Sequence, residues 1–321
     1  MRASVTVRVP GSTSNLGAGF DCVGVAVGRW LRVTARTARA SAGPPVIVER
    51  RGSLRALDVP PEADLVYRGF VAACRRAGRP EDAPKPLMLT LESEIPVARG
   101  LGSSAAASVA GAVAANALLD LGLDQAALAA VCAELEGHAD NVAPAIYGGA
   151  TLVLPGAGPD RGGREGRGGQ GGLVITPLIV HESLALVFAI PDFTVETKRA
   201  RAVLPPMVPH AQAVAAAAKS AALVHGLAHA DAPLLGAALD DVLHVPYRRS
   251  LVAGYDEVTG AAREAGAYGA TLSGSGPTLV AIAPRQRATA IADAMVRAWR
   301  ARGITAESFH VGRPAGGYEA A

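Results

Sequence analysis

The run Pro96-Val97-Ala98-Arg99-Gly100-Leu101-Gly102-Ser103-Ser104-Ala105-Ala106 has the makings of an anion cradle. Gly100 and Gly102 let the backbone turn consecutive N–H groups inward, as a nest for phosphate oxygens. The run opens into an Ala-rich stretch that reads as a helix, whose first turn carries roughly half a positive charge. Ser103 and Ser104 add hydroxyls that can cap the helix, bind phosphate or reach a metal ion. The Gly-Lys-Ser/Thr ending of the common P-loop is missing, so this is not that motif. A glycine-rich helix start with no ligand looks the same locally, and the rest of the chain has to decide.

Other constellations could share a site with the loop. Asn15 and Asp21 sit in PGSTSNLGAGFD, residues 10–21, a polar turn between two apolar runs. Glu134, Glu136, His138, Asp140 and Asn141 crowd a helix end; a Glu beside a Ser hydroxyl is hard oxygen chemistry of the kind Mg²⁺ takes. On a helix Thr197 and Arg201 lie four apart and share a face. Arg201 and Arg248 each offer a planar fork that grips a carboxylate or phosphate at two points. A second glycine-rich turn, Ser273-Gly274-Ser275-Gly276-Pro277, follows late in the chain. Each has an ordinary reading as well: turn residues, a solvated basic helix start, a structural histidine, a simple connection.

The elements that must position these groups follow from pattern. Residues 3–9 alternate as a strand, and 22–36 and 46–50 read as two more. A helix is expected from about Asp64 to Gly78, a strand at 87–95, a helix from about Asp124 to Glu136 and a strand at 148–154. Residues 155–172 are a Gly/Arg stretch without apolar periodicity, read as a loop. Beyond it come strand-like residues 173–190, helices near 211–230 and 255–266, a strand at 279–283, an amphipathic helix at 287–302 and a closing strand near 304–311. This alternation in both halves gives an α+β or α/β chain in two domains. The boundaries are 1–155, a loop 156–172, and 173–321.

Composition narrows the function class. The chain has 321 residues, half of them hydrophobic but only 4% aromatic, so Ala, Val and Leu fill the core. Its 31 basic and 28 acidic residues give a net charge of +3, which carries no nucleic-acid signal. Lys occurs only at Lys85, Lys198 and Lys219. Cys22, Cys74 and Cys132 are far apart, in no metal spacing, and read as reduced thiols of a cytoplasmic protein. No stretch has the ~20 strongly apolar residues that span a bilayer, and the chain starts on a strand rather than a signal segment.

Together PGSTSNLGAGFD, PVARGLGSSAA and LSGSGPT, in that order, resemble the three motifs of the GHMP kinase superfamily, and the resemblance runs from Val5 to Ile282. Within the superfamily, STSNLGAGFDCVGVA, EGHADNVAPAIYGG, TKRARAVLP and HVPYR are most similar to homoserine kinases. Galacto- and mevalonate kinases tend to carry a Lys soon after the first Pro-Gly, where this chain has Ser12.

The resemblance implies an α+β two-domain GHMP kinase fold, with a ribosomal protein S5 domain 2-like N-terminal domain and a ferredoxin-like C-terminal domain. It implies ATP-dependent phosphorylation of L-homoserine, with ATP and Mg²⁺ as cofactors and a homodimer as the assembly. Carried over by position, Pro96 to Ala106 wrap the ATP phosphates, and Ser104 and Glu134 hold Mg²⁺, with Glu136 the alternative. Asn15 and Asp21 bind the substrate amino group, and Arg201 and Arg248 its carboxylate. Asn141, with His138 nearby, orients the hydroxyl, and Thr197 lies near the transferring phosphoryl group. Asp140 is the candidate base, ranked below Asn141 because a primary alcohol needs little early deprotonation in a loose phosphoryl transfer. Asp64 falls where the family often has Asn near the adenine. Two other readings stand beside this one: a GHMP kinase for a sugar or isoprenoid precursor, and a non-catalytic relative that binds nucleotide or RNA.

Overall fold

Val5, Val7 and Val9 are buried while Thr6 and Arg8 between them are not, which is the period of a strand with one covered face. That strand, β1 (Ser4–Asn15), pairs antiparallel with the long β2 (Gly19–Thr37), Val7 opposite Val33 and Ser14 opposite Gly24. The computed structural model describes residues 2–37, 44–80, 83, 86–154 and 172–321. The Gly/Arg loop expected at 156–172 lies outside the described residues apart from Gly172.

β3 (Val46–Gly52) and β4 (Leu87–Ser93) run parallel, joined through α1 (Leu65–Arg76). Asp64 starts α1 as its N-cap, accepting from the Val66 amide at 2.9 Å. Next come α2 (Ser103–Leu119), α3 (Gln125–Glu136), α4 (Val142–Tyr147), β5 (Ala150–Leu154) and β6 (Val174–Leu178). α2 is apolar on nearly every side and buried accordingly. It packs so closely on α1 that a Cβ on Gly111 would fall 1.9 Å from the Val66 carbonyl oxygen.

A second sheet begins with β7 (Leu184–Pro191). α5 (Thr197–Ala202), α6 (His210–His229), α7 (Ala232–Leu239), α8 (Val245–Arg248) and α9 (Tyr255–Glu264) follow. β8 (Gly269–Leu272), β9 (Leu279–Pro284), α10 (Ala288–Ala301) and β10 (Ala306–Val311) complete the unit, and β11 (Glu319–Ala320) ends the chain. The strand order β10-β7-β9-β8 is all antiparallel, the arrangement of a ferredoxin-like split βαβ repeat. β7 is buried throughout because it is covered twice. Leu184, Leu186, Phe188 and Ile190 face a core shared with the first sheet, and Ala185, Val187 and Ala189 face a second core with Met295 and Trp299 of α10.

The first sheet runs β11-β1-β2-β4-β3, with β5 on the early part of β2 and β6 on β5. Thus β6 and β11, both from the range expected to form the second domain, hydrogen-bond into the first sheet. Residues 10–21 differ from their reading as a turn: β1 continues to Asn15 and the reversal is confined to Leu16–Ala18. Two flanking strands long enough to pair override the turn chemistry of Gly, Ser and Asn. Among the described residues no helix is long and apolar enough to cross a membrane.

Candidate active site

The end of β1 ties the site together. The Ser12 amide donates to Leu101 O at 3.1 Å, and the Gly274 amide donates to Ser14 O at 3.0 Å. The Ser273 hydroxyl donates to Gly100 O at 2.6 Å and lies 2.8 Å from the Thr13 hydroxyl, whose proton it can accept. Asn15 Nδ2 donates to Gly274 O at 2.8 Å, and its Oδ1 accepts from the Asp21 amide at 2.9 Å. The three motifs therefore meet through side chains and backbone of one strand end. Asn15, Leu16, Asp21 and Ala98 all have positive φ, at 72°, 44°, 56° and 54°. Such backbone strain in residues other than glycine concentrates at functional sites.

A cavity of ≈ 330 Å³ opens here and divides into three parts. Its middle is the Gly/Ser loop expected to cradle phosphate: Val97, Ala98, Gly100, Gly102, Ser103 and Ser104 line it. Gly102 is the left-handed N-cap of α2, at φ 66°, and aims the helix start into the cavity. Leu101, Ala105 and Ala106 turn into the core instead. Arg99, expected with the loop around the phosphates, points away: its guanidinium donates to the carbonyls of Pro191 and Asp192 at the end of β7. It clamps the loop to the second sheet.

One end is lined by Asp21, His138, Asp140, Asn141, Thr197, Arg201 and Arg248, with Gly274 and Ser275. Arg201 donates to both carboxylate oxygens of Asp21, at 3.0 and 3.1 Å. Arg248 is buried; its Nε donates to Ala200 O at 2.9 Å and its Nη1 to His244 Nδ1 at 3.3 Å, over the Phe20 ring. Burial, and then the charge of Arg201, lower its pKa to about 10, which leaves it charged at neutral pH. His244 stacks on Phe20, and burial holds it neutral, with its pKa pushed down to about 4.

Asp140 is 2% exposed. Burial opposes its ionisation, but the hydrogen bond and charge of His138 outweigh it and hold the carboxyl below the usual range. His138 Nδ1 donates to Asp140 Oδ1 at 2.7 Å, and that bond overcomes burial to raise the imidazole's pKa. Asn141 lies between two serines: Ser12 Oγ donates to Oδ1 at 2.9 Å, and Nδ2 donates to Ser14 Oγ at 2.9 Å. Thr197 Oγ1 lies 3.3 Å from Ser275 Oγ.

The other end is apolar, lined by Leu31, Leu54, Leu57, Val59, Leu65 and Leu91. Sequence reasoning missed these residues, since nothing local sets them apart from core. Asp64 lies at this end, but Arg50 holds its Oδ2 at 2.7 and 3.1 Å while its Oδ1 caps α1.

Of the two carboxylates expected beside Ser104, Glu136 rather than Glu134 is the one that reaches it. Ser104 Oγ donates to Glu136 Oε2 at 2.6 Å, and Ser108 Oγ to its Oε1 at 2.6 Å; Glu134 is exposed. On α3, Glu136 lies one turn beyond buried Cys132 and shares its inward face, whereas Glu134 is rotated to solvent. A hydroxyl and a carboxylate beside a phosphate nest are the hard oxygen donors that Mg²⁺ takes, with water and phosphate oxygens completing the shell, so Ser104 and Glu136 fit that ion.

Residues 64–149 match the GHMP kinases N terminal domain, and residues 223–301 match the GHMP kinases C terminal domain. The chain is 41% identical over 305 residues to the homoserine kinase of Picosynechococcus sp., covering 94% of each. It is 42% identical over 302 residues to the homoserine kinase of a Synechococcus sp., covering 94% of this chain and 92% of the relative. The crystal structure of homoserine kinase from Cytophaga hutchinsonii superimposes with a TM-score of 0.82 at 29% identity, covering 100% of this chain and 98% of that one. Matched by both family models and, over nearly its whole length, by these relatives, the chain belongs to the GHMP kinase family.

Proposed function

We propose that the protein transfers the γ-phosphoryl group of ATP to the side-chain hydroxyl of L-homoserine, giving O-phospho-L-homoserine and ADP. The observation that carries this reading is the single cavity that joins an apolar slot, a phosphate nest and an end bearing Asp21, Arg201, Arg248 and Asn141. Near-full-length identity of about 40% to homoserine kinases supports the choice of acceptor.

In this reading the base of ATP lies among Leu54, Leu57 and Val59, and Gly100 to Ser104 receive the phosphates. Ser104 and Glu136 would hold Mg²⁺, which would supply neutralisation of phosphate charge. Asp21 takes the substrate ammonium, with Asn15 setting the Asp21 loop, while Arg201 and Arg248 take the carboxylate. Asn141 orients the hydroxyl, and Thr197 stands beside the phosphoryl group in flight. The hydroxyl oxygen forms the new bond to γ-phosphorus as the bond to the ADP oxygen breaks, and the hydroxyl proton passes to an oxygen of the transferred phosphoryl group, from which it leaves to water. Charge stays on the phosphoryl oxygens in so loose a transfer, so positioning outweighs basicity. Asp140 is already committed to His138 and serves the site as a fixed negative charge. The reaction belongs to threonine biosynthesis, in the cytoplasm, with the chain as a homodimer.

The test is ADP release with Mg-ATP and L-homoserine, mevalonate, galactose or L-threonine. Turnover selective for homoserine is expected. ATP binding without turnover of any of the four would discard the acceptor and bring forward a non-catalytic role.

A further inference from the structure

Ser12 is fully buried and does not line the cavity, yet it touches both halves of the reaction. Its amide donates to Leu101 O in the phosphate loop at 3.1 Å. Its hydroxyl donates to Asn141 Oδ1 at 2.9 Å. Gly102, the N-cap of α2, comes so near that a Cβ there would lie 2.1 Å from Ser12 Oγ.

The valences of Asn141 sharpen this contact. A side-chain amide has two N–H donors and an oxygen with two lone pairs. One N–H goes to Ser14 Oγ at 2.9 Å and the other to Asp140 Oδ1 at 3.3 Å. An ionised carboxylate only accepts, so Asp140 fixes which end of the amide is nitrogen. Ser12 takes one lone pair of the oxygen, which leaves a single lone pair.

We propose that Ser12 is a positioning residue for phosphoryl transfer. It holds Asn141 Oδ1 in register with the phosphate loop, so that the remaining lone pair accepts the hydrogen bond of the attacking hydroxyl. This deepens the reading of the protein as a small-alcohol kinase and rests on it. Without the Ser12 hydroxyl the amide oxygen loses its tether, while Asp21, Arg201 and Arg248 still bind the substrate ends. The loss then falls on kcat and spares KM.

The test uses the full chain as Ser12→Ala, Asn141→Ala and the double variant. Each single change should lower kcat by about 10- to 100-fold, the scale of a misplaced reacting group, with KM for ATP and acceptor held within about two-fold. The double variant should be no slower than Asn141→Ala alone, because residues that act through one contact are not additive. Multiplied losses in the double variant, or a Ser12→Ala effect on KM for ATP alone, would overturn the proposal. Thermal melts of the same four proteins read the Ser12–Asn141 contact without any substrate. Non-additive shifts in Tm are expected, and additive ones count against Ser12. If wild type turns over no homoserine, the acceptor assignment fails, and the melts still decide for or against Ser12. Should Ser12→Ala not fold, Ser12→Cys, which keeps the size and only a weak donor, takes its place in both cycles.

Discussion

Arg201 grips Asp21 with both ends of its guanidinium, at 3.0 and 3.1 Å, between residues 180 positions apart in sequence. Each charge thus has a partner at the cavity rim. A zwitterion can exchange this one ion pair for two, its ammonium against Asp21 and its carboxylate against Arg201 and buried Arg248. A neutral alcohol breaks the pair and returns nothing. Both side chains are more than a third exposed, so water screens the pair and the exchange is feasible.

Removing the clamp should therefore affect one substrate more than the other. Arg201→Ala is expected to raise KM for homoserine about ten-fold or more, on the scale of a charge-assisted hydrogen bond, and to leave KM for ATP nearly unchanged. Equal increases in both constants would remove Arg201 from the carboxylate site.

Glu134 and Glu136 separate on metal dependence. Glu136→Gln should raise the Mg²⁺ concentration needed for half-maximal rate by about 10- to 100-fold, as losses around metal sites commonly do. Glu134→Gln, on the solvent side of α3, should match wild type. A magnesium titration of initial rate in both variants distinguishes them, and the reverse ranking would restore Glu134.

At Gly102, φ 66° and the nearness of Ser12 and Asn141 leave no room for a methyl group. Left-handed backbone costs an alanine about 1–2 kcal/mol, before any displacement of Ser12. Gly102→Ala should lower Tm by several degrees and kcat by about 100-fold or more. Steady-state rates beside a thermal melt check this, and a variant of wild-type activity would show that the loop has slack.

His244 imposes a pH dependence on stability. Its folded pKa of about 4 lies below the ordinary 6.5, so the unfolded chain binds the extra proton first. Stability from this group is complete above pH 6.5 and is lost as pH falls from about 6.5 towards 4. Protonation would also set a positive imidazole against Arg248. Wild-type Tm should thus decline more steeply than that of His244→Asn over this window. Parallel declines would assign the loss to other groups.

Much of this architecture is legible in local pattern. The alternation of Val5, Val7 and Val9, the helix starts at Asp64 and Asp124 and the Gly/Ser entry to α2 each act within a few residues. What escaped is of two kinds. Short elements such as α4, with Pro144 in its middle, and the four-residue β8 fall below the length at which periodicity shows. Long-range pairings leave no local trace: Asp21 with Arg201, Arg99 with the end of β7, Arg50 with Asp64. Between Glu134 and Glu136, both left open by the sequence, the four-residue step from Cys132 favours Glu136 by placing it on the buried face of α3.

β6 and β11 bracket the ferredoxin-like unit and both belong to the first sheet. The second body is therefore spliced into the first, entering after one strand of that sheet and leaving before another. Ending the chain after β6 leaves β1 without its β11 neighbour, and starting it at β7 leaves β11 without a sheet. A cut between β6 and β7 therefore divides a sheet as well as a chain, parting β1 from its β11 neighbour. In genetic terms the two bodies are nested rather than tandem: a single break in the reading frame cannot part them without also parting two paired strands.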